Sequence, residues 1–239
     1  MGADEEKRIP AGEKDYLSQI GELAKGLVHE IRNPLNAIKL NAGMIEEALL
    51  VEDGIDAEGC LRMVRRIKDE VEDLHETVQE FLSYAGPSNL SLESLDVNSL
   101  LRNLAEFVEP ECFGHGVALQ LDLCEESPRI KGDRRQIMSA VLNLVINSRE
   151  AIEQDGTITI RTRAENDGGV AISVIDTGGG ISPEIEGRVF NSFFTTKEGG
   201  TGLGLGIVRR IVEAHGGRLE LINHQGTGLE AVMCFSEAA

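Results

Sequence analysis

Along the first third of the chain, apolar residues recur at steps of three and four. Leu17, Ile20, Ala24, Leu27, Ile31, Leu35, Ile38, Ala42, Ile45 and Leu49 form one series, and Leu61, Val64, Ile67, Val71, Leu74, Val78 and Phe81 form a second. This period is the seam of an amphipathic helix packed in a bundle. It predicts a helix over 13–50 and another ending at Ala85, joined by the glycine- and acid-rich stretch VEDGIDAEG. Two helices cannot bury two such seams alone, so a second copy completing a four-helix bundle is the economical arrangement. The polar residues 1–12, with Pro10 and Gly12, read as a frayed start, 13–85 as the helical domain and 86–92, with Gly86-Pro87, as a linker.

From residue 93 to 239 the pattern changes to short alternating runs and single helices. It predicts a helix over 98–108 capped by Asn98, a strand over 117–123, and a helix from Asp133 to about 153. Strands follow over 157–163 and 170–175, then a short helix at Ser182-Pro183 and a loop over about 189–200. A helix over 203–215 and strands over 218–222 and 229–235 close the chain. Helices gathered on one face of a mixed sheet make an α/β sandwich.

Composition and charge narrow the function. At 239 residues and 41% hydrophobic content the chain can bury a real core. A net charge of −18 argues against nucleic acid as a partner and means that any polyphosphate must be held by local devices. No apolar run approaches the roughly 20 residues of a membrane span, and MGADEEKRIP carries no apolar leader, so a soluble, cytoplasmic chain is expected. Cys60, Cys112, Cys124 and Cys234 lack metal-binding spacing and read as buried thiols.

His29 lies off the first seam, where its imidazole would face solvent. Glu30 follows at once; its carboxylate can hydrogen-bond one ring nitrogen and leave the other nucleophilic. Asn33 is one turn on, and Pro34 withholds an N–H and crowds the carbonyl of Glu30. The string HEIRNPLNAI resembles the phospho-acceptor box of two-component sensor histidine kinases. That resemblance implies a dimerisation and phosphotransfer domain in which His29 accepts a phosphoryl group, Glu30 serves as base and Asn33 orients water for dephosphorylating a partner.

Four further strings, in order and spacing, resemble the Bergerat-type ATP-binding domain shared by sensor kinases, gyrase, ninety-kilodalton heat-shock chaperones and mismatch-repair ATPases. NLVINSREAI sets Asn143 and Asn147 four apart, so both amides leave one side of a helix. By match to the motif, Asn147 is the Mg²⁺ ligand and Asn143 its support; Ser148 stands where the motif usually has alanine. DTGGGI follows a strand: Asp176 can accept a hydrogen bond from an adenine amino group, and Gly178 and Gly180 form the turn beyond it. FNSFFTTK ends in Lys197, a cation where the acidic chain needs one. GGTGLGLGI contributes Thr201, Gly202, Leu203 and Gly204, with glycines that let backbone approach phosphate at a helix N-terminus. A dinucleotide fingerprint is a poor fit, because no strand precedes it.

The resemblance covers about residues 13–236. It implies a homodimeric, ATP- and Mg²⁺-dependent protein-histidine kinase that passes the phosphoryl group from His29 to an aspartate of a response regulator receiver domain, and that also acts as its phosphatase. A non-catalytic dimeric adaptor would show decayed ATP boxes, and an ATPase using nucleotide only for conformational change would leave His29 unexplained. Only 28 residues precede His29, so sensory input is expected from a missing domain or a separate protein. His75, His115, His215 and His224 belong to no shared constellation, and His215 reads as a cation favoured at a helix C-terminus.

Overall fold

The computed structural model describes residues 11–50, 56–85, 90–165, 168–191, 193–197, 201–224 and 227–236; the side chains of 11–26, 29, 30, 76, 79, 80 and 82–85 lie outside that description. The chain divides into two compact units, residues 1–85 and 86–239.

In the first unit, α1 (Ala11–Leu50) and α2 (Ala57–Ala85) pack as a hairpin. Asp56 starts α2 by accepting the Gly59 N–H at 2.9 Å. Pro34 sits inside α1, which is helical on both sides of it. The hairpin buries its seams only in part: Leu35 is 49% exposed and Val71 50%. Asn41 and Thr77 are buried and donate to the carbonyls of Ala37 and Asp73 one turn back.

The second unit contains β1 (Glu93–Asp96), α3 (Val97–Gly114), β2 (Val117–Asp122), β3 (Arg129–Gly132), α4 (Arg134–Ala151), β4 (Gly156–Ala164), β5 (Val170–Asp176), α5 (Gly204–Ala214), β6 (Arg218–Asn223) and β7 (Leu229–Phe235). Five strands form a mixed sheet in the order β2-β4-β5-β7-β6, parallel between β2 and β4 and antiparallel elsewhere; β1 and β3 pair separately. The three helices pack against the five-stranded sheet. Along β4, Ile158, Ile160 and Thr162 are buried, while Arg161 and Arg163 on the opposite face both reach the Asp122 carboxylate at 2.7 Å. At one sheet edge, β6 alternates exposed and half-buried positions, and Arg218 pairs with Glu220 at 2.8 Å.

Several local features depart from the sequence pattern. The cap of α3 is Asp96, whose carboxylate accepts the Ser99 N–H at 2.7 Å and the Ser127 hydroxyl at 2.6 Å. Those bonds, led by the Ser127 hydroxyl, hold the Asp96 carboxyl below the usual aspartate value. Asn98 is instead 1% exposed: its amide donates to the Cys124 carbonyl at 2.9 Å and accepts the Thr162 hydroxyl at 3.0 Å, so it anchors the 123–128 turn to β4. α3 continues past Pro110 because the buried Cys112 still packs its last turn. β1 and β3 are four residues each, too short to show a period. The short helix expected from Ser182-Pro183 begins as a turn, closed by the Ile185 N–H on the Ser182 carbonyl, and continues as one 3-10 turn over Glu186–Arg188, with the Arg188 N–H on the Ile185 carbonyl. Of the four cysteines, Cys112 and Cys234 are buried, whereas Cys60 and Cys124 are half-exposed.

Replacing Asn98 with Ala leaves the Cys124 carbonyl and Thr162 hydroxyl without these partners. The second unit should lose about 1–3 kcal/mol, read as a lower urea midpoint with an unchanged m-value; an unmoved midpoint would contradict the anchoring role.

Candidate nucleotide site and its relatives

α4 begins at Asp133, whose carboxylate accepts the N–H groups of Arg135 at 3.0 Å and Gln136 at 3.2 Å. Burial alone would push this carboxyl up, but the N–H groups of Ser91, Gln136 and Arg135 outweigh it and hold the group below the usual aspartate value. Ile137, Val141, Leu144 and Val145 face the core. The polar residues of the second half of α4 point elsewhere, and the other boxes gather there.

Gly204 opens α5 beside both asparagines. A Cβ built on it would lie 3.3 Å from Asn143 Oδ1 and 3.3 Å from Asn147 Nδ2. The Asn143 amide is oriented by donating to the Ser139 carbonyl at 2.9 Å. Asp176, 3% exposed at the end of β5, accepts the Ser148 hydroxyl at 3.2 Å on one oxygen; the other takes the N–H groups of Gly178 at 2.9 Å and Leu229 at 3.2 Å. Gly178 passes so close to the end of α4 that a Cβ would lie 2.6 Å from the Ala151 carbonyl oxygen. Lys197 stretches across the same end, its ammonium donating to the Asn147 carbonyl at 3.2 Å and to Glu150 at 2.7 Å.

The remaining candidates shape the loops. Gly180 has φ +71° and is held by Asn223, whose amide brackets Ile181 by accepting its N–H at 3.1 Å and donating to its carbonyl. Gly202 has φ +66°, and its carbonyl accepts the Phe193 N–H at 3.0 Å. A Cβ there would lie 2.6 Å from the Phe193 carbonyl carbon, so only glycine lets these loops touch. Phe193 itself takes φ 61°, an uncommon backbone for a bulky residue. Phe194 lies under the Arg188 guanidinium at 4.3 Å, and Arg209 stands 5.6 Å from the Phe190 ring. Leu203 is fully buried before α5, and its N–H reaches the Thr201 hydroxyl at 3.4 Å. Gly199 and Gly200 lie outside the described residues.

In the first unit Asn33 is exposed on α1; the side chains of His29 and Glu30 lie outside the described residues. Ser148, noted in the sequence only as a departure from the motif, joins the second-unit cluster, as do Glu150, Asn223 and Gly228, which the sequence did not single out. Gly228 (φ +124°) runs against the Asp176 backbone carbonyl; its one sequence sign is the GTG turn between two apolar runs. His215 differs from its sequence reading. Its Nε2 accepts the Asp133 N–H at 2.9 Å, so the ring is neutral and not a helix-terminal cation.

Two family models match this chain. The His Kinase A (phospho-acceptor) domain matches residues 19–87, and the histidine kinase-, DNA gyrase B- and HSP90-like ATPase matches residues 132–238. The sensor histidine kinase ZraS of Escherichia coli (strain K12) is 35% identical over 225 residues, 94% of this chain and 46% of that protein. The chain belongs to the sensor histidine kinase family. Among solved structures, histidine kinase ThkA in complex with the response regulator protein TrrA superposes with a TM-score of 0.76 at 28% identity, over 93% of this chain and 63% of that one. The isolated catalytic domain of ThkA gives a TM-score of 0.57 at 30% identity, covering 62% of this chain and 97% of that one. The chain thus spans less than half the length of ZraS.

Asp176 has a scaffolding task of its own, independent of any ligand. Asp176→Ala strands two backbone N–H groups and should lower stability by about 1–3 kcal/mol, whereas Asp176→Asn keeps an oxygen for them and should lose much less. Thermal melts without ligand check this; equal losses would contradict it.

Proposed function

We propose that this chain is the phospho-acceptor and ATP-binding portion of a protein-histidine kinase that phosphorylates His29 and passes the phosphoryl group to an aspartate of a response regulator receiver domain. The observation that carries this reading is the convergence on the second half of α4: Gly204, Gly178, Lys197 and, through Ser148, Asp176 all meet the stretch bearing Asn143 and Asn147.

The chemistry of these groups suits Mg·ATP. Three of the roughly four lone-pair directions of the Asp176 carboxylate are filled from the protein, leaving one for the adenine amino group. The N-terminal turn of α5 offers N–H groups to phosphate, and Lys197 a nearby cation. Among the described residues no cluster of three His, Cys, Asp or Glu could hold a metal. A neutral ligand such as the Asn147 amide oxygen fits Mg²⁺, which takes most of its shell from water and the substrate's phosphates. When bound, the metal would neutralise charge on the triphosphate.

In the transfer, an imidazole nitrogen of His29 attacks the γ-phosphorus, the bond to the bridging oxygen breaks, ADP leaves, and Glu30 takes the imidazole proton. The receiver aspartate then takes the phosphoryl group from His29. A homodimer is the proposed assembly, because the half-exposed seams of α1 and α2 need a second hairpin. No helix among the described residues is long and apolar enough to cross a membrane. The need for ATP makes the cytoplasm the proposed compartment, with sensory input coming from another segment or protein.

Two experiments test this. Labelled ATP should leave an acid-labile, base-stable mark on the wild type and none on His29→Gln, which should bind nucleotide normally. Asn147→Ala should cut labelling by about tenfold or more, and Asp176→Asn should weaken nucleotide binding with or without Mg²⁺. Labelling of His29→Gln at the wild-type level would refute the acceptor.

Asn33, exposed one turn from His29, is proposed to orient a water molecule toward the receiver's aspartyl phosphate. Decay of a purified phosphorylated regulator should be faster with wild type than with Asn33→Ala, while autophosphorylation is unaffected; a parallel series with ADP exposes back-transfer. Equal decay would remove this role.

A further inference from the structure

α4 and α5 are joined a second time, away from the asparagines. While one Asp133 oxygen caps α4, the other accepts the Ser91 N–H at 3.0 Å, and the Asp133 N–H donates to Nε2 of His215 at 2.9 Å. Because that nitrogen accepts, the ring proton sits on Nδ1, which donates to the Ile211 carbonyl at 2.7 Å. Both ring nitrogens are therefore committed. The ring also stands edge-on to Phe235, with centroids 6.2 Å apart, and a Cβ on Gly132 would come within 3.2 Å of its Cδ2. Little room is left for another orientation.

His215 caps the C-terminus of α5, and Asp133 precedes the first residue of α4. About 15–20 Å further along α4, the same two helices meet again where Gly204 lies against Asn143 and Asn147. α5 is one unbroken helix of 11 residues, so the placing of one end bears on the place of the other. We infer that His215 is a positioning residue for the nucleotide site: by accepting the Asp133 N–H it sets how α5 lies on α4, and so holds the N-terminal turn of α5 beside the asparagines. The inference rests on the nucleotide-binding reading above. It assigns His215 no contact with substrate.

The test uses the full chain and a non-hydrolysable ATP analogue with Mg²⁺, measured by calorimetry at a temperature where each variant is folded, beside thermal melts without nucleotide. His215→Gln puts an amide oxygen near the place of Nε2 and keeps the acceptor. His215→Leu fills the space without one, and the amide of His215→Asn falls one carbon short. Gln should bind within about twofold of wild type, and Leu and Asn about tenfold more weakly. Should Leu prevent folding, the Asn and Gln pair decides. Wild-type affinity in Leu or Asn, even with a lowered melting temperature, would show that His215 only stabilises the fold and would overturn the inference. So would equal loss in Gln and Asn. If the wild type itself binds no analogue, the nucleotide reading fails, and the inference with it.

Discussion

How near the first turn of α5 can come to α4 governs the geometry of the second unit's polar end, and that approach exists because Gly204 has no side chain. A methyl group there would already press on both asparagine amides. Contact at this distance makes one helix the common wall for three loops: the turn after β5, the stretch ending at Lys197 and the start of α5. α4 can serve all of them because its apolar positions pin it to the core, leaving its other side to amides, a hydroxyl and a carboxylate. The precision of the polar groups is borrowed from the packing beneath them.

The parts of this arrangement legible in the sequence are those whose partners lie within one element. Asn143 and Asn147 share a helical side because they are four apart, and both reach Gly204. The alternation over β4 and β5 and the two long helical seams are local signals of the same kind. What could not be read depends on residues far apart in the chain. Glu150 and Lys197 are 47 positions apart, and Asp133 and His215 are 82 apart. Asn98 shows how one side chain supports two readings: an amide near a helix start is chemically fit to cap it, and equally fit to bridge a buried turn and strand. Asp96 two positions earlier took the cap, which freed Asn98 for the bridge. His215 supports two readings in a related way. Its place at a helix end favours a charge, but the N–H that faces it comes from another element.

The two units solve burial differently. The second covers its helices with a sheet and its sheet with helices, so large residues such as Leu101, Ile160 and Met233 are fully enclosed within one chain. In the first, among the described residues, Gly59 and the polar Asn41 and Thr77 are buried, and each of the two polar side chains satisfies its own donor within its helix. The apolar seam stays partly wet. A hairpin of this kind keeps its structure only when something shares its seam, so the stability of the first unit is tied to association in a way that the second unit's is not.

The sheet margins carry the opposite message. β6 is an edge strand of six residues, and its outward charges, Arg218 and Glu220, are paired to each other. At the far margin, Asp122 closes β2 by gathering two arginines from β4. Short, charged margins resist the addition of a further strand from another chain. Crowded together, copies of the molecule are thus discouraged from joining their sheets edge to edge into fibres, and the half-exposed helical seam of the first unit is the apolar surface that stays on offer.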